Sequence, residues 1–156
     1  MLSPQIQTIL LATLPINELR GTIPFAISSL GLNPIEAFFY SVIGNMLPIF
    51  FIVWFLPVFA GFLSQHSKIF NKFFNWLFER TRKKFYHNYQ KYGDWALVIF
   101  VAIPLPMTGA WTGAVAAFLF GIPYWKSILL NFLGVIIAGI VVTLLSTGIF
   151  SLIGVI

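Results

Sequence analysis

Glu18 and Arg20 stand two positions apart in PINELRGTIP, residues 15–24, with Pro15 and Pro24 on either side. No charged residue precedes Glu18, and the next after Arg20 is Glu36. Inside an apolar segment an acid is costly unless it is paired or hydrated. Burial favours the neutral carboxyl, whereas a neighbouring guanidinium favours the ionised one. A carboxyl held between those influences can take up and release a proton, so Glu18 is the candidate proton-coupling residue. The plainer alternative is that Glu18 and Arg20 neutralise each other or satisfy broken backbone.

A second cluster lies in IPLPMTGAWTG, residues 103–113. Thr108 suits the N-cap of a half-helix, and Gly109 would let a ligand approach the backbone. Pro24 suits the first turn of another half-helix. Helix N-termini carry free amides and positive partial charge. Two of them aimed at one cavity, with Arg20 and Gly21 alongside, would bind a phosphate or a carboxylate. Trp111 and Thr112 line the same break. Gly109 and Gly113 also form a Gly-x-x-x-Gly pair that permits close helix approach. Asn17, Asn45 and Asn131 read as packing groups, and Asp94 as an interfacial acid.

The elements that must position these residues are apolar. The chain has 156 residues, 59% hydrophobic and 8% charged, against about 25% charged in a soluble domain. It cannot cover a water-facing surface and reads as one integral membrane domain over 1–156. Four apolar blocks span 5–30, 34–63, 95–120 and 124–156. The second and fourth reach the ~20 residues needed to span a bilayer. The first and third are interrupted near their middles, leaving half-length pieces that match re-entrant hairpins. Seven of the nine basic residues lie in 68–91, so the connector 64–93 is cytoplasmic by the positive-inside rule. A hairpin in the third block returns Lys126 to the same side and leaves Glu36 and both termini outside. The first 14 residues lack a basic n-region and read as part of the fold.

The halves match at an offset of 90 residues: Gly31 with Gly121, Gly44 with Gly134, and the two proline breaks with each other. The expected fold is therefore all-α, with two inverted repeats, 5–63 and 94–156. Each repeat is a re-entrant helical hairpin plus a transmembrane helix, and a basic amphipathic helix joins them. Broken helices in inverted repeats mark secondary transporters. In the connector, Phe70, Phe73, Phe74 and Leu77 follow helical spacing and would dip into the headgroup region. Its bases would meet anionic lipid headgroups. Nucleic acid is a poor match for this aromatic-basic mixture in a membrane chain.

Several chemistries find no support. The chain has no cysteine, which excludes thiolate metal sites and disulfides. His66 and His87 have no ligand cluster near them, a Gly-rich loop ending in Gly-Lys-Ser/Thr is absent, and no Gly-x-Ser-x-Gly elbow occurs. The reading is of no enzyme, no cofactor and no metal site. A chain this small suggests a homodimer.

ELRGTIP at 18–24 and IPLPMTGAWTGAVAAFLFG at 103–121 resemble the two signature stretches of the bacterial small multidrug export protein family. GNMLPIFF at 44–51 and ERTRKK at 79–84 fit as well. The family usually reads Pro-Gly-Thr-Gly where this chain has Pro-Met-Thr-Gly at 106–109. The family is similar to the DedA (SNARE-associated, or VTT) superfamily, whose members are believed to carry facing re-entrant hairpins. Some of those are thought to flip lipid phosphates on membrane potential or protons. The resemblance therefore implies a secondary transporter, proton-coupled, for an anionic lipid such as a polyprenyl phosphate in the cytoplasmic (inner) membrane. The family name implies proton-coupled export of small lipophilic cations instead. An uncoupled lipid scramblase or membrane-organising protein is the third alternative.

Overall fold

The computed structural model describes residues 2–66, 68–103 and 109–152. Among them the regular elements are all helical: α1 (Pro4–Ala12), α2 (Glu18–Ser28), α3 (Pro34–His66), α4 (Lys68–Tyr92), α5 (Ala96–Ala102), α6 (Ala110–Leu119) and α7 (Tyr124–Leu152), with a short 3-10 turn before α5. Pro34–Phe59 of α3 and Tyr124–Gly148 of α7 are apolar over 26 and 25 residues. At about 1.5 Å per residue each exceeds the ~30 Å hydrocarbon core of a bilayer. By contrast α1, α2, α5 and α6 have 9, 11, 7 and 10 residues, about half of a span.

The boundaries follow local chemistry. Gly31 and Gly121 both take left-handed backbone, φ +67° and +66°. Beyond each glycine the next amide turns back onto the ending helix, Leu32 to the Ala26 carbonyl at 3.1 Å and Ile122 to Ala117 at 2.9 Å. That arrangement satisfies carbonyls a helix end leaves open. Asn33 then caps α3, its Oδ1 accepting from the Glu36 amide at 2.9 Å. Pro24 departs from expectation. It sits inside α2 rather than in the first turn of a half-helix. The helix starts earlier because Glu18 takes φ +43° and turns the chain there. Such a conformation costs a non-glycine residue on the order of 1 kcal/mol or more.

The two glycines of the long helices let the short ones dock. A Cβ on Gly44 of α3 would collide with the Ile9 carbonyl of α1. A Cβ on Gly134 of α7 would sit 2.6 Å from Val101 Cβ of α5. Thus α1 lies on α3 and α5 on α7 at backbone distance. The long helices pack against each other antiparallel. Val42–Phe50 of α3 share a groove with Trp125–Phe132 of α7, and Pro34–Phe39 share another with Ile140–Leu144. A salt bridge of 2.6 Å from Lys126 Nζ to Asp94 Oδ2 ties the start of α7 to the turn before α5. The core runs between these helices, with Leu19, Ile23, Ile49, Leu97, Val101 and Val135 almost fully buried.

Helix α4 is anchored by its second half. Phe85 is wholly buried. Its ring meets Phe100 of α5 edge-on at 5.4 Å and Phe120, just after α6, at 4.8 Å. Tyr89 stacks on Phe120 at 4.6 Å and Phe78 on Phe118 at 5.8 Å. Phe78, Thr81, Phe85 and Tyr89 recur every three or four residues, so one face of α4 covers the α5–α6 pair. The side chains of Phe70, Phe73, Phe74 and Leu77, expected to face headgroups, lie outside the described residues. Arg80, Arg82, Lys83 and Lys91 are exposed on the rest of the helix.

Candidate functional site

The two breaks in the short helices meet. Glu18, the first residue of α2, is 9% exposed. Its carboxylate accepts hydrogen bonds from the backbone amides of Ala110 and Trp111, the first two residues of α6. Gly109 is what allows this approach, because a Cβ there would collide with both carboxylate oxygens. The opening end of α6, where unsatisfied amides concentrate positive partial charge, is therefore held by an acid of the other half of the chain.

Arg20 serves the opposite end. Its Nη2 donates to the carbonyls of Val101 at 3.1 Å and Ile103 at 3.0 Å. These carbonyls close α5, whose last residue is Ala102. A cation there complements the negative end of the helix. One charged pair on α2 thus grips both sides of the gap between α5 and α6, each charge on the end of opposite polarity.

Local geometry explains why α2 can do this. Glu18 and Arg20 are two residues apart, so on a regular helix they diverge by about 200°. The left-handed φ of Glu18 redirects the chain at that residue, and its amide still bonds the Leu14 carbonyl at 2.9 Å. Burial brings Leu19 between them into the core at 1% exposed.

The remaining candidates divide. Thr112 lies in the first turn of α6, where its Oγ1 accepts from the Gly109 amide at 2.9 Å and donates to the Gly109 carbonyl at 3.2 Å. It does the capping expected of Thr108, which lies outside the described residues. The cap position itself is Gly109. What approaches the Gly109 backbone is the Glu18 carboxylate. Trp111 presents a buried indole N–H that finds no hydrogen-bond partner among the described residues. Gly21 faces the other way: it is exposed, and the atoms nearest to a Cβ there belong to Asn17, with Oδ1 at 3.5 Å. It does not join the constellation. Gly113 packs against Val101 and Asn131, consistent with close helix approach.

Sequence reasoning passed over some contributors. The Val101 and Ile103 carbonyls and the Ala110 amide are backbone groups, which no residue type announces. Thr22 is wholly buried with its hydroxyl unpartnered among the described residues. It follows Glu18 by four positions, the spacing that stacks two side chains on one helix face, and that spacing was the available signal. Asn131 is also fully buried, with its Nδ2 donating to the Ser127 carbonyl at 2.9 Å and its Oδ1 unpartnered among the described residues.

Comparison with known proteins gives one finding. The family described as "Putative small multi-drug export protein" matches residues 18–141. That stretch begins at Glu18 itself and takes in α2, the second break, α4 and most of α7. No curated protein and no solved structure matches the chain.

Proposed function

The chain belongs to the small multidrug export family, and from that premise we propose that it is a secondary transporter that moves an amphiphile across the cytoplasmic membrane, with Glu18 coupling the movement to protons. The family's description points to export, and the long apolar α3 and α7 fit a membrane setting. The observation that carries the proposal is the placement of Glu18. A buried carboxyl at the meeting of two helix breaks is where broken-helix transporters bind substrates and coupling ions.

In this reading α1–α2 and α5–α6 are re-entrant hairpins that enter from opposite faces. The antiparallel packing of α3 on α7 supports that inversion, as do the glycines paired at the 90-residue offset. The Asp94–Lys126 bridge supports a second hairpin whose two ends lie on one side. The basic connector is cytoplasmic, its exposed bases meet anionic lipid headgroups, and both termini lie outside. Two copies complete the transport unit, and the DedA relationship belongs to the same proposal. Nothing in the site calls for bond-making chemistry.

The substrate we favour is an anionic lipid such as a polyprenyl phosphate. When Glu18 takes up a proton its carboxylate loosens from the α6 amides. Those amides, Arg20 and the indole N–H of Trp111, unpartnered among the described residues, then suit phosphate oxygens. The family match favours a second reading, export of lipophilic cations by exchange with protons. In proteoliposomes with an imposed pH gradient, the wild type should translocate a labelled polyprenyl phosphate, whereas Glu18→Gln should lose the gradient dependence. Gradient-driven efflux of a cationic dye without lipid movement would select the second reading. Translocation indifferent to the gradient would leave scrambling and refute proton coupling.

A further inference from the structure

We propose that two buried polar arms lead from Glu18 toward opposite ends of the helix bundle and carry protons to and from its carboxyl, Thr22 with Ser41 forming one arm and Asn131 the other. The inference rests on the proton-coupled reading above and adds the route. Thr22, Ser41 and Asn131 are positioning residues in it, and Glu18 is the group that binds the proton.

The two short helices that begin at the shared site set the geometry. Helix α2 turns back onto α3 through residues 29–33, and α6 onto α7 through 120–123, so each pair is antiparallel. Because α3 and α7 are themselves antiparallel, α2 and α6 leave Glu18 in opposite directions. Thr22 lies four residues along α2, a rise of about 6 Å. It is wholly buried, and its hydroxyl has no partner among the described residues. On α6, Gly109 and Gly113 are also four residues apart. A Cβ on the first would collide with the Glu18 carboxylate, and a Cβ on the second with Asn131 Oδ1. One glycine face of α6 therefore seats the carboxylate and, about 6 Å further on, a buried amide oxygen that is likewise unpartnered among the described residues. The 90-residue offset carries the Gly113–Asn131 pair onto Ile23 and Ser41. That puts Ser41 level with Thr22, and Asn45, one turn further along α3, level with Glu18. Both are buried, and the Ser41 hydroxyl and Asn45 Oδ1 also find no partner among the described residues.

Four buried oxygens without partners near one carboxyl are costly if dry, since each forfeits the hydrogen bonds it makes in water. Water satisfies them, and one water at about 2.8 Å from each neighbour spans a gap of about 6 Å. A proton entering such an arm passes by exchange of hydrogen bonds onto a Glu18 oxygen. Every water and hydroxyl takes one proton as it gives up another, while Asn131 Oδ1 only accepts and holds a water in line. Release runs down the other arm and restores the carboxylate, with nothing oxidised or reduced. Charge near the route is sparse. Arg20 is the neighbour on α2; α1, α5 and α6 carry no charged residue, and Glu36, His66 and Lys126 stand near the ends of α3 and α7. The Asn131 arm leads toward the end where Phe120 meets α4, and the Thr22 arm leads away from it.

The test uses the full chain in proteoliposomes with an internal pH dye and a labelled polyprenyl phosphate. Thr22→Val removes the hydroxyl at nearly constant volume, and Asn131→Leu removes the amide. Each should slow gradient-driven proton entry and lipid translocation by at least about tenfold, and should make the remaining rate more sensitive to deuterated water. Thr22→Ser and Asn131→Ser, which keep an oxygen, should restore both rates. A packing role alone would neither change the isotope sensitivity nor be rescued by a hydroxyl. Thermal unfolding reads the same arm without transport. Thr22→Val and Ser41→Ala should lower the midpoint where the hydroxyls hold water, whereas in a dry core losing an unpartnered hydroxyl raises it. If Asn131→Leu does not fold, Thr22→Val and Ser41→Ala carry the test. A parent whose translocation ignores the gradient overturns the coupling reading and the route with it. A parent that couples, with Thr22→Val and Asn131→Leu both within twofold of it, overturns the route alone. One variant slowed and the other unaffected strikes out the unaffected arm, and a raised midpoint in Thr22→Val and Ser41→Ala strikes out theirs.

Discussion

The first break closes itself, and the second is closed from outside. Where α1 ends, the Thr13 amide bonds the Ile9 and Leu10 carbonyls at 3.2 and 3.3 Å, and Leu14 bonds Leu11 at 3.2 Å. The Thr13 hydroxyl adds a bond to the Leu10 carbonyl at 2.7 Å. The Glu18 amide then reaches Leu14, and Gly21 reaches Asn17, both at 2.9 Å. These bonds at the first break all run between residues a few positions apart. Across the second break, α5 ends on carbonyls held by Arg20, and α6 begins on amides held by Glu18. Two gaps at matching positions therefore differ in kind. The first draws its bonds from neighbouring residues, and the second draws on side chains from α2.

The comparison is broken most severely through α4, which covers α5 and α6. Phe85→Ala removes a fully buried ring that touches Phe100, Tyr89 and Phe120. The expected loss is about 3 kcal/mol, and hydrogen exchange should show it in residues 96–119 while 4–28 keep their protection. Equal loss in both regions would mean that the helices unfold as one unit and that the contrast has no energetic content. Next comes Arg20→Ala, at about 2 kcal/mol for a charged hydrogen-bonding group that is partly exposed. Exchange should rise in the last turn of α5, whose carbonyls lose their donor, although the substitution itself lies on α2. A rise confined to α2 would assign Arg20 to its own helix. Thr112→Val is smaller again. It removes the hydroxyl that bonds Gly109, a capping loss of about 1 kcal/mol. Hydrogen exchange should rise in the first turn of α6, and no change there would mean that the hydroxyl does not cap it.

Much of the scaffold was legible. Composition pointed to a membrane chain, a reading the two long apolar helices fit, and length separated α3 and α7 from the half-length helices. Glycines betrayed the paired turns, because only a residue without a Cβ adopts φ near +66° cheaply. Both proline-rich interruptions were visible for the same local reason. What could not be read were contacts between distant segments. Glu18 and Arg20 looked like partners of each other or of a ligand, since sequence spacing carries no information about groups some 81 positions away. Pro24 misled because a proline near a break usually opens a helix, while here the left-handed Glu18 opens it first. The inner face of α4 stayed hidden for another reason. Aromatics interleaved with bases look alike whether they meet lipid or, as Phe85 and Tyr89 do, other aromatic rings.

The mildest substitution sharpens the contrast most. Thr13 occupies the end of α1 as Thr112 occupies the start of α6, and both hydroxyls bond local carbonyls. Thr13→Val deletes the bond to Leu10, but the Thr13 amide keeps both of its backbone partners. No orphaned donor is created, and a helix-terminal carbonyl near an exposed turn retains access to other partners. The expected cost is therefore about 0.5 kcal/mol or less. Thr112→Val differs because the Gly109 amide loses the hydroxyl it donates to. Measured side by side in thermal unfolding, the second break should lose at least twice what the first does. If Thr13→Val proves as costly as Thr112→Val, the first break leans on its side chains as heavily as the second, and the asymmetry reduces to the two charges alone.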